Sequence, residues 1–148
     1  MKKLLQMKNL ERHYQTPAGV VRALDGVSFE ISEGERVILL GPSGSGKTTL
    51  LNCLSALDSP TSGDYTFLSN EVPRNNSEKM TSFRRENIGY VFQFFNLLQD
   101  LTVLENILLI QELAGKKDSS RAKELLRIVG LEAEIDRFPG EISGGQQQ

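Results

Sequence analysis

Residues 37–49 read Val-Ile-Leu-Leu-Gly-Pro-Ser-Gly-Ser-Gly-Lys-Thr-Thr, and they carry the clearest structural pattern in the chain. Its first four residues are a continuous, mostly branched apolar run, which predicts a strand buried on both faces of a parallel sheet. The residues that follow fit the pattern G-x-x-x-x-G-K-[ST] at every fixed position. Leucines at positions 50, 51, 54 and 57 then recur at helical spacing until Asp58-Ser59-Pro60. The prediction is a buried strand, a glycine-rich loop and a helix.

A strand, glycine-rich loop and helix in this order favour phosphate binding. Backbone N–H groups of the loop point into a concavity, and the helix N-terminus adds partial positive charge. Lys47 is predicted to reach the β- and γ-phosphates, and the Thr48 hydroxyl to coordinate Mg²⁺. The predicted ligand is a purine nucleoside triphosphate with Mg²⁺; the alternative is a plain connection followed by a helix with an exposed lysine. The predicted contact residues are Gly41, Pro42, Ser43, Gly44, Ser45, Gly46, Lys47, Thr48 and Thr49.

Composition excludes several classes of protein. The chain has 148 residues with 17 Lys+Arg and 19 Asp+Glu, so it lacks the broad basic surface of a nucleic-acid binder, and no nucleic-acid partner is expected. The single cysteine, Cys53, lies in an apolar stretch and is predicted to be a small buried hydrophobe in a reducing compartment. The longest apolar runs are far shorter than the ~20 residues of a membrane span. These observations predict a cytosolic globular chain.

Two further regions of the first half carry strand patterns. Residues 27–31 alternate apolar and polar side chains, as a strand with one wet face does, and residues 65–67 do the same over a shorter length. Ile88-Gly89-Tyr90-Val91-Phe92 predicts a second buried strand. The polar stretch Ser69 to Thr81 predicts a loop.

The last third of the chain has helical periodicity. One helix is predicted from Thr102 to just before Gly115. A second helix is predicted to place Ala122, Leu125, Leu126 and Val129 on one face. Gly130 follows that helix, where a left-handed C-terminal cap belongs.

Two segments carry a resemblance to a known family. Tyr-Val-Phe-Gln-Phe-Phe-Asn-Leu-Leu at 90–98 resembles the Q-loop of ATP-binding cassette (ABC) proteins, and Ile-Ser-Gly-Gly-Gln-Gln-Gln at 142–148 resembles their signature motif. Residues 23–29, 57–63 and 101–107 also look like that family, in the expected order. Within the family, the chain is most similar to the cytoplasmic ATPases of the macrolide-efflux, lipoprotein-release and cell-division branch.

The resemblance implies an α/β fold of the P-loop NTPase type. A parallel sheet is expected, with an N-terminal antiparallel β part and the start of a helical subdomain, the whole being an incomplete domain. Residues 1–92 are expected to form the N-terminal part of the ATP-binding core. Residues 93–148 are expected to hold the Q-loop and the helical subdomain that ends in the signature motif.

The resemblance also implies roles for particular residues. Gln93 would contact Mg²⁺ and the attacking water, and would act in catalysis with Lys47. Tyr14 would stack on adenine, with a structural tyrosine in a hairpin as the alternative. The signature residues would bind the nucleotide held by a second ATPase subunit in a head-to-tail dimer; they are Ser143, Gly144, Gly145 and Gln146. Ile142 stands where the family usually has leucine.

The apolar residues after Gln93 suggest a docking surface. By resemblance, Phe94, Phe95, Leu97 and Leu98 would help to form a groove for a helix of a transmembrane permease subunit. Packing between subdomains is the alternative. A permease partner would place the protein in the cytoplasm, peripheral on the inner face of the cell membrane.

Several family groups are expected downstream of the signature motif, and the chain stops at Gln148. They are a second Mg²⁺-linked aspartate, the adjacent glutamate that polarises water and a switch histidine. The resemblance therefore implies a truncated ATPase with negligible turnover, whose uncovered apolar surface favours aggregation or a segment-exchanged dimer. The alternatives are a soluble non-transport ABC ATPase and a nucleotide-binding interaction module. A P-loop kinase or GTPase would leave Gln93 and the signature unexplained.

Overall fold

Two long strands, β1 (Lys3–Thr16) and β2 (Gly19–Ser32), begin the computed structural model, which describes residues 2–148. They pair antiparallel, and β1 also pairs antiparallel with β3 (Ser62–Phe67). The short β4 (Asn70–Glu71) extends the sheet, giving the order β2-β1-β3-β4. The strands predicted from the alternation at residues 27–31 and 65–67 are confirmed. The predicted N-terminal antiparallel β part is this sheet.

The first of two compact units ends at Gly89 and contains the sheet and two helices, α1 (Lys47–Leu54) and α2 (Ser77–Asn87). The Tyr65 hydroxyl donates a hydrogen bond to the carbonyl oxygen of Leu54 at 2.5 Å, which ties β3 to the end of α1. Buried side chains of the sheet, the helices and their connections form one apolar core, which comprises Leu5, Met7, Leu10, Leu24, Leu50, Cys53, Ala56, Tyr65, Val72 and Met80. The predicted burial of Cys53 is confirmed, because only 1% of the residue is exposed.

The second unit, Tyr90–Gln148, is helical. It contains α3 (Val103–Leu113), α4 (Ser119–Ile128) and α5 (Gly144–Gln147), with two 3-10 turns before α5. Val103, Leu126 and Ile142 form its small buried core. No helix within residues 2–148 has the length and apolar character needed to cross a membrane. The functional division predicted between residues 92 and 93 stays a prediction.

The two helices predicted in the second unit are confirmed as α3 and α4. Thr102 caps α3 through a reciprocal pair of hydrogen bonds with Glu105, which explains why the helix begins there. Gly130 adopts φ +75°, the left-handed conformation predicted after α4. The predicted common face of α4 is partly wrong, because Ala122 is buried whereas Val129 is 66% exposed. Val129 is the C-cap residue of α4, outside the helix itself.

The prediction of two buried strands in a parallel sheet is wrong within residues 2–148. Residues 37–40 and 88–92 have no strand assignment, and their side chains are largely exposed, with Leu40 at 84% and Val91 at 81%. A central parallel strand is stable when neighbours satisfy its N–H and C=O groups on both edges. Within residues 2–148, the one sheet is antiparallel, and neither segment pairs with it. The apolar composition of these two segments predicted burial, but burial as strands requires neighbouring strands that pair with them.

The predicted loop from Ser69 to Thr81 is also partly wrong. It contains β4 and the first turns of α2, which begins after Asn76. The Asn76 side chain accepts a hydrogen bond from the Lys79 backbone N–H at 2.9 Å and so caps the helix. The buried Met80 and the half-buried Phe83 anchor an otherwise polar helix in the core. Two apolar residues gave too weak a periodicity to reveal it.

Candidate nucleotide-binding site

The glycine-rich loop curls around the amino group of Lys47, the first residue of α1. Its Nζ donates hydrogen bonds to the carbonyl oxygens of Gly41 at 2.7 Å and Pro42 at 2.6 Å, and to Ser45 Oγ at 3.3 Å. A turn bond from the Ser45 N–H to the Pro42 carbonyl oxygen, 3.3 Å long, closes the loop on the same side. The lysine charge is therefore held within the loop by three oxygen atoms.

Gly46 fixes the loop against the β1–β2 hairpin. It is the N-cap of α1 with φ +86°, a conformation that favours glycine. A Cβ at this position would overlap the carbonyl oxygen of Ala23 in β2 and approach the side chain of Leu24. Only a residue without a side chain permits this approach of loop and strand. Gly46 thereby places the start of α1 directly against the hairpin.

The start of α1 has backbone donors available for an anion. No side chain among residues 2–148 caps this helix, because its N-cap is a glycine. The first N–H groups of a helix have no partner within it and carry partial positive charge. Thr48 is exposed and Thr49 is half-buried in this first turn, whereas Ser43 and Gly44 are exposed in the loop. The loop and the first turn thus present N–H groups, hydroxyls and an ammonium group together.

Tyr14 lies near the end of β1, opposite Val21 of β2, and is half-buried. Its hydroxyl donates a hydrogen bond to Asp58 Oδ2 at 2.7 Å. The guanidinium carbon of Arg12 lies 4.5 Å from the centre of the Tyr14 ring, over one of its faces. Tyr14 is therefore an oriented ring in the same unit as the glycine-rich loop.

Gln93 and the signature residues lie in the second unit. Gln93 is exposed in a turn, and Phe94 beside it is 78% exposed. Ser143 is the N-cap of α5: its Oγ accepts from the Gln146 N–H at 3.2 Å, and Gln146 Oε1 accepts from the Ser143 N–H at 2.9 Å. Gly144 and Gly145 follow the cap and are exposed. The signature segment therefore begins a short capped helix with bare glycine amides.

Three residues that sequence reasoning passed over organise these regions. Asp58 and Arg12 hold the Tyr14 ring, and their ion pair measures 2.8 Å from Arg12 Nη2 to Asp58 Oδ1. The Asn106 side chain accepts from the Leu98 N–H, and its two amide N–H groups are shared among three carbonyl oxygens, so it orders the chain before α3. Arg12 and Tyr14 lie two apart on β1, so their common face could be foreseen. Asp58 lies 46 residues from Arg12, and no local pattern connects them.

The family follows from comparison with known proteins. Residues 24–148 match the family model of the ABC transporter, so the chain belongs to this family of ATP-binding domains and the predicted family is confirmed. It is similar to an uncharacterized ABC transporter ATP-binding protein of Thermotoga maritima, with 46% identity over 151 residues that cover all of this chain and 64% of the relative. It is also similar to the lipoprotein-releasing system ATP-binding protein LolD of Geobacter metallireducens, with 42% identity, covering all of this chain and 67% of LolD.

A solved structure agrees with this assignment. The ATP-binding cassette MJ0796, determined as a dimer in a post-hydrolysis state with ADP and Pi bound, has a TM-score of 0.87 and 36% identity. The match covers 97% of this chain and 65% of the cassette. The predicted α/β fold class of the ABC ATPase is thereby confirmed. The chain spans about two thirds of the length of these three proteins, with shares of 64–67%.

Proposed function

We propose that this chain binds MgATP through residues 41–49 and forms the nucleotide-binding part of an ATPase that powers a membrane transporter. The observation that carries this proposal is the position of Lys47 Nζ, within 2.7 Å of two loop carbonyl oxygens at the uncapped start of α1. Membership of the ABC family supports ATP as the nucleotide. Phosphate oxygens would take over the hydrogen bonds that Nζ now donates to the loop.

The loop fits a magnesium ion that is held mainly by phosphates and water. Mg²⁺ keeps several waters and commonly takes one or two protein oxygens beside substrate phosphates. The exposed Thr48 hydroxyl can supply one such oxygen. Residues 2–148 contain no group of three or more His, Cys, Asp or Glu side chains that could hold a metal by itself. Thr48 is the proposed protein ligand of the first unit, and Mg²⁺ would neutralise charge on the phosphates; the Mg²⁺ contact of Gln93 stays a prediction from the family resemblance.

The remaining site residues divide into two proposed roles. Tyr14 would stack on the adenine of the nucleotide bound by its own chain. Ser143 to Gln146 would contact the nucleotide of a second subunit in a head-to-tail dimer. The catalytic roles of Lys47 and Gln93 stay predictions from the family resemblance. The exposed Ser143 and the bare amides of Gly144 and Gly145 at the start of α5 support this second role. MJ0796 was determined as a dimer, which supports the two-subunit arrangement.

The proposed partner is a transmembrane permease subunit, with the ATPase on the cytoplasmic face of the membrane. The name of LolD, a lipoprotein-releasing system ATP-binding protein, supports a transport role. The exposed Phe94 and Leu98, 78% and 50% accessible, support an apolar docking surface after Gln93. The 148-residue chain contains no Asp-Glu pair after an apolar run, and we therefore propose that it binds nucleotide without measurable turnover.

Nucleotide titration tests the proposal. Isothermal titration of the chain with MgATP is compared for the unmodified protein, Lys47→Ala and Lys79→Ala. Loss of the ammonium group removes charge-assisted hydrogen bonds to phosphate, so Lys47→Ala is expected to weaken binding by about 10- to 100-fold. Lys79→Ala removes the same charge from an exposed position of α2 in the same unit and should leave affinity unchanged. Equal affinity for all three proteins would reject binding through the loop.

A phosphate-release assay tests the absence of turnover. The unmodified chain is expected to release no more phosphate from MgATP than Lys47→Ala does. Steady hydrolysis by the unmodified chain that Lys47→Ala abolishes would contradict this part of the proposal and leave the binding part intact.

A further inference from the structure

Arg12, Tyr14 and Asp58 form a closed arrangement of three side chains in the first unit. Asp58 Oδ2 accepts a hydrogen bond from the Tyr14 hydroxyl at 2.7 Å and one from Arg12 Nε at 2.8 Å. Asp58 Oδ1 lies 2.8 Å from Arg12 Nη2 and accepts from the Ser59 N–H, also at 2.8 Å. The Arg12 guanidinium in turn covers one face of the Tyr14 ring.

This arrangement restricts the Tyr14 ring in two ways. The hydrogen bond to Asp58 fixes the hydroxyl end, and the guanidinium fixes the plane of the ring by a cation–π contact. The ion pair is partly shielded, since the Arg12 and Asp58 side chains are 24% and 25% exposed, which strengthens it relative to a pair in open solvent. Both oxygens of the Asp58 carboxylate are used, so Asp58 is the centre of the arrangement.

The arrangement is connected to the glycine-rich loop through two elements. Asp58 follows α1, and its N–H donates a hydrogen bond to the Asn52 carbonyl oxygen in that helix at 3.1 Å. On the other side, Tyr14 pairs with Val21 of β2, two residues before Ala23, whose carbonyl oxygen lies against Gly46. Two residues of a strand span about 7 Å. The residue that carries the ring therefore pairs with a position of β2 only about 7 Å along the strand from the residue that contacts Gly46.

We propose that Asp58 is a positioning residue for the nucleotide base, acting through Arg12 and Tyr14. It holds the ring with one face covered by the guanidinium, so that an adenine base would stack on the opposite face. The guanidinium attracts electron density of the ring, which suits the ring to stacking on a purine. This inference rests on the proposed function, since it requires that the loop binds the phosphates of the same nucleotide.

The test separates base binding from phosphate binding with two probes, MgATP and magnesium tripolyphosphate, which has no base. Both are titrated calorimetrically into the unmodified chain, Asp58→Asn, Tyr14→Phe and Tyr14→Ala. Because Tyr14→Ala removes the ring on which the base would stack, it is expected to lose about tenfold in MgATP affinity. Asp58→Asn and Tyr14→Phe retain the ring and are expected to lose about threefold to fivefold. Tripolyphosphate affinity should stay the same for all of them.

Asp25→Asn is the matched control. It removes the same charge from the same unit, and Asp25 is paired with His13 and Arg22 rather than with Tyr14. Its affinity for both probes should equal that of the unmodified chain. Thermal unfolding of each variant checks the fold, and Tyr14→Phe, which removes one hydroxyl, carries the test if Asp58→Asn does not fold.

Each contrary result has a separate meaning. Equal weakening of both probes by Asp58→Asn would show a general structural role and overturn the proposal. Unchanged MgATP affinity in Asp58→Asn and Tyr14→Phe, with a loss in Tyr14→Ala, would show that the ring acts without Asp58. If Tyr14→Ala has no effect while Lys47→Ala does, base stacking is wrong and the proposed binding of MgATP through residues 41–49 stands. If the unmodified chain does not bind MgATP, both proposals fall.

Discussion

Cys53 is predicted to resist thiol reagents as long as the first unit is folded. It lies in α1 with 1% of its surface exposed. Burial raises the pKa of its thiol from 9.0 to about 11, and the nearby negative charge of Asp58 adds to the shift. The thiolate is the reactive form of cysteine, so the pKa determines how much reactive species is present.

The size of the effect follows from the pKa. At pH 8, a thiol with a pKa of about 11 is roughly 0.1% thiolate, whereas an ordinary thiol with a pKa of 9.0 is roughly 10% thiolate. The folded chain should therefore react about a hundredfold more slowly than the unfolded chain. Steric protection of a side chain this deeply buried slows the reaction further.

The assay is the rate of modification by an aromatic disulfide reagent at pH 8, with and without denaturing urea. The chain has one cysteine, so the absorbance change reports Cys53 alone, and Cys53→Ser supplies the background. A folded rate within about tenfold of the unfolded rate would refute both the burial of the thiol and the raised pKa. Rates should also rise with pH through the range of the raised pKa.

Two further predictions concern the second unit. Asn106→Ala removes an amide whose two N–H groups are shared among three carbonyl oxygens and whose oxygen accepts one bond, all of which order residues 98–102, and should lower the free energy of unfolding by about 2–4 kcal/mol in urea titrations. Asn87→Ala, which loses one exposed bond, should cost less than about 1 kcal/mol; equal losses would contradict the role of Asn106. The backbone N–H and hydroxyl of Thr102 lower the pKa of Glu105, so its contribution to stability is present above its ordinary pKa and lost as the pH falls through the lowered value. Urea titrations between pH 6 and pH 2 should show a smaller acid loss in Glu105→Gln, and parallel curves would contradict this sign.

The parts of the fold that could be predicted are those whose stability is local. The capping pair of Thr102 with Glu105, the left-handed Gly130 and the alternation at residues 27–31 depend on neighbours in sequence. The loop before Lys47 could be predicted for the same reason, because the residues that form it are adjacent in sequence. Such features are specified by a few adjacent residues, and the structure follows them.

The parts that could not be predicted depend on distant partners. The apolar run at residues 37–40 has the composition of a central strand, but a strand forms only where neighbours supply a hydrogen-bonded ladder, and none does so within residues 2–148. The partnership of Tyr14 with Asp58 joins residues 44 apart and leaves no periodic signal. The roles of Gln93 and of Ser143 to Gln146 stay predictions, because they concern a nucleotide and a second subunit.

The hydrogen bonds of Lys47 have a consequence for the entropy of ligand capture. A free lysine side chain loses up to about 2 kcal/mol of rotamer freedom when it is fixed. Here Nζ is already held by the Gly41 and Pro42 carbonyl oxygens, so much of that freedom is surrendered when the chain folds. An incoming anion would replace these carbonyl oxygens around an ammonium group that is already in position. The carbonyl groups of the loop thus preorganise the lysine amino group by occupying the positions that ligand oxygens would take.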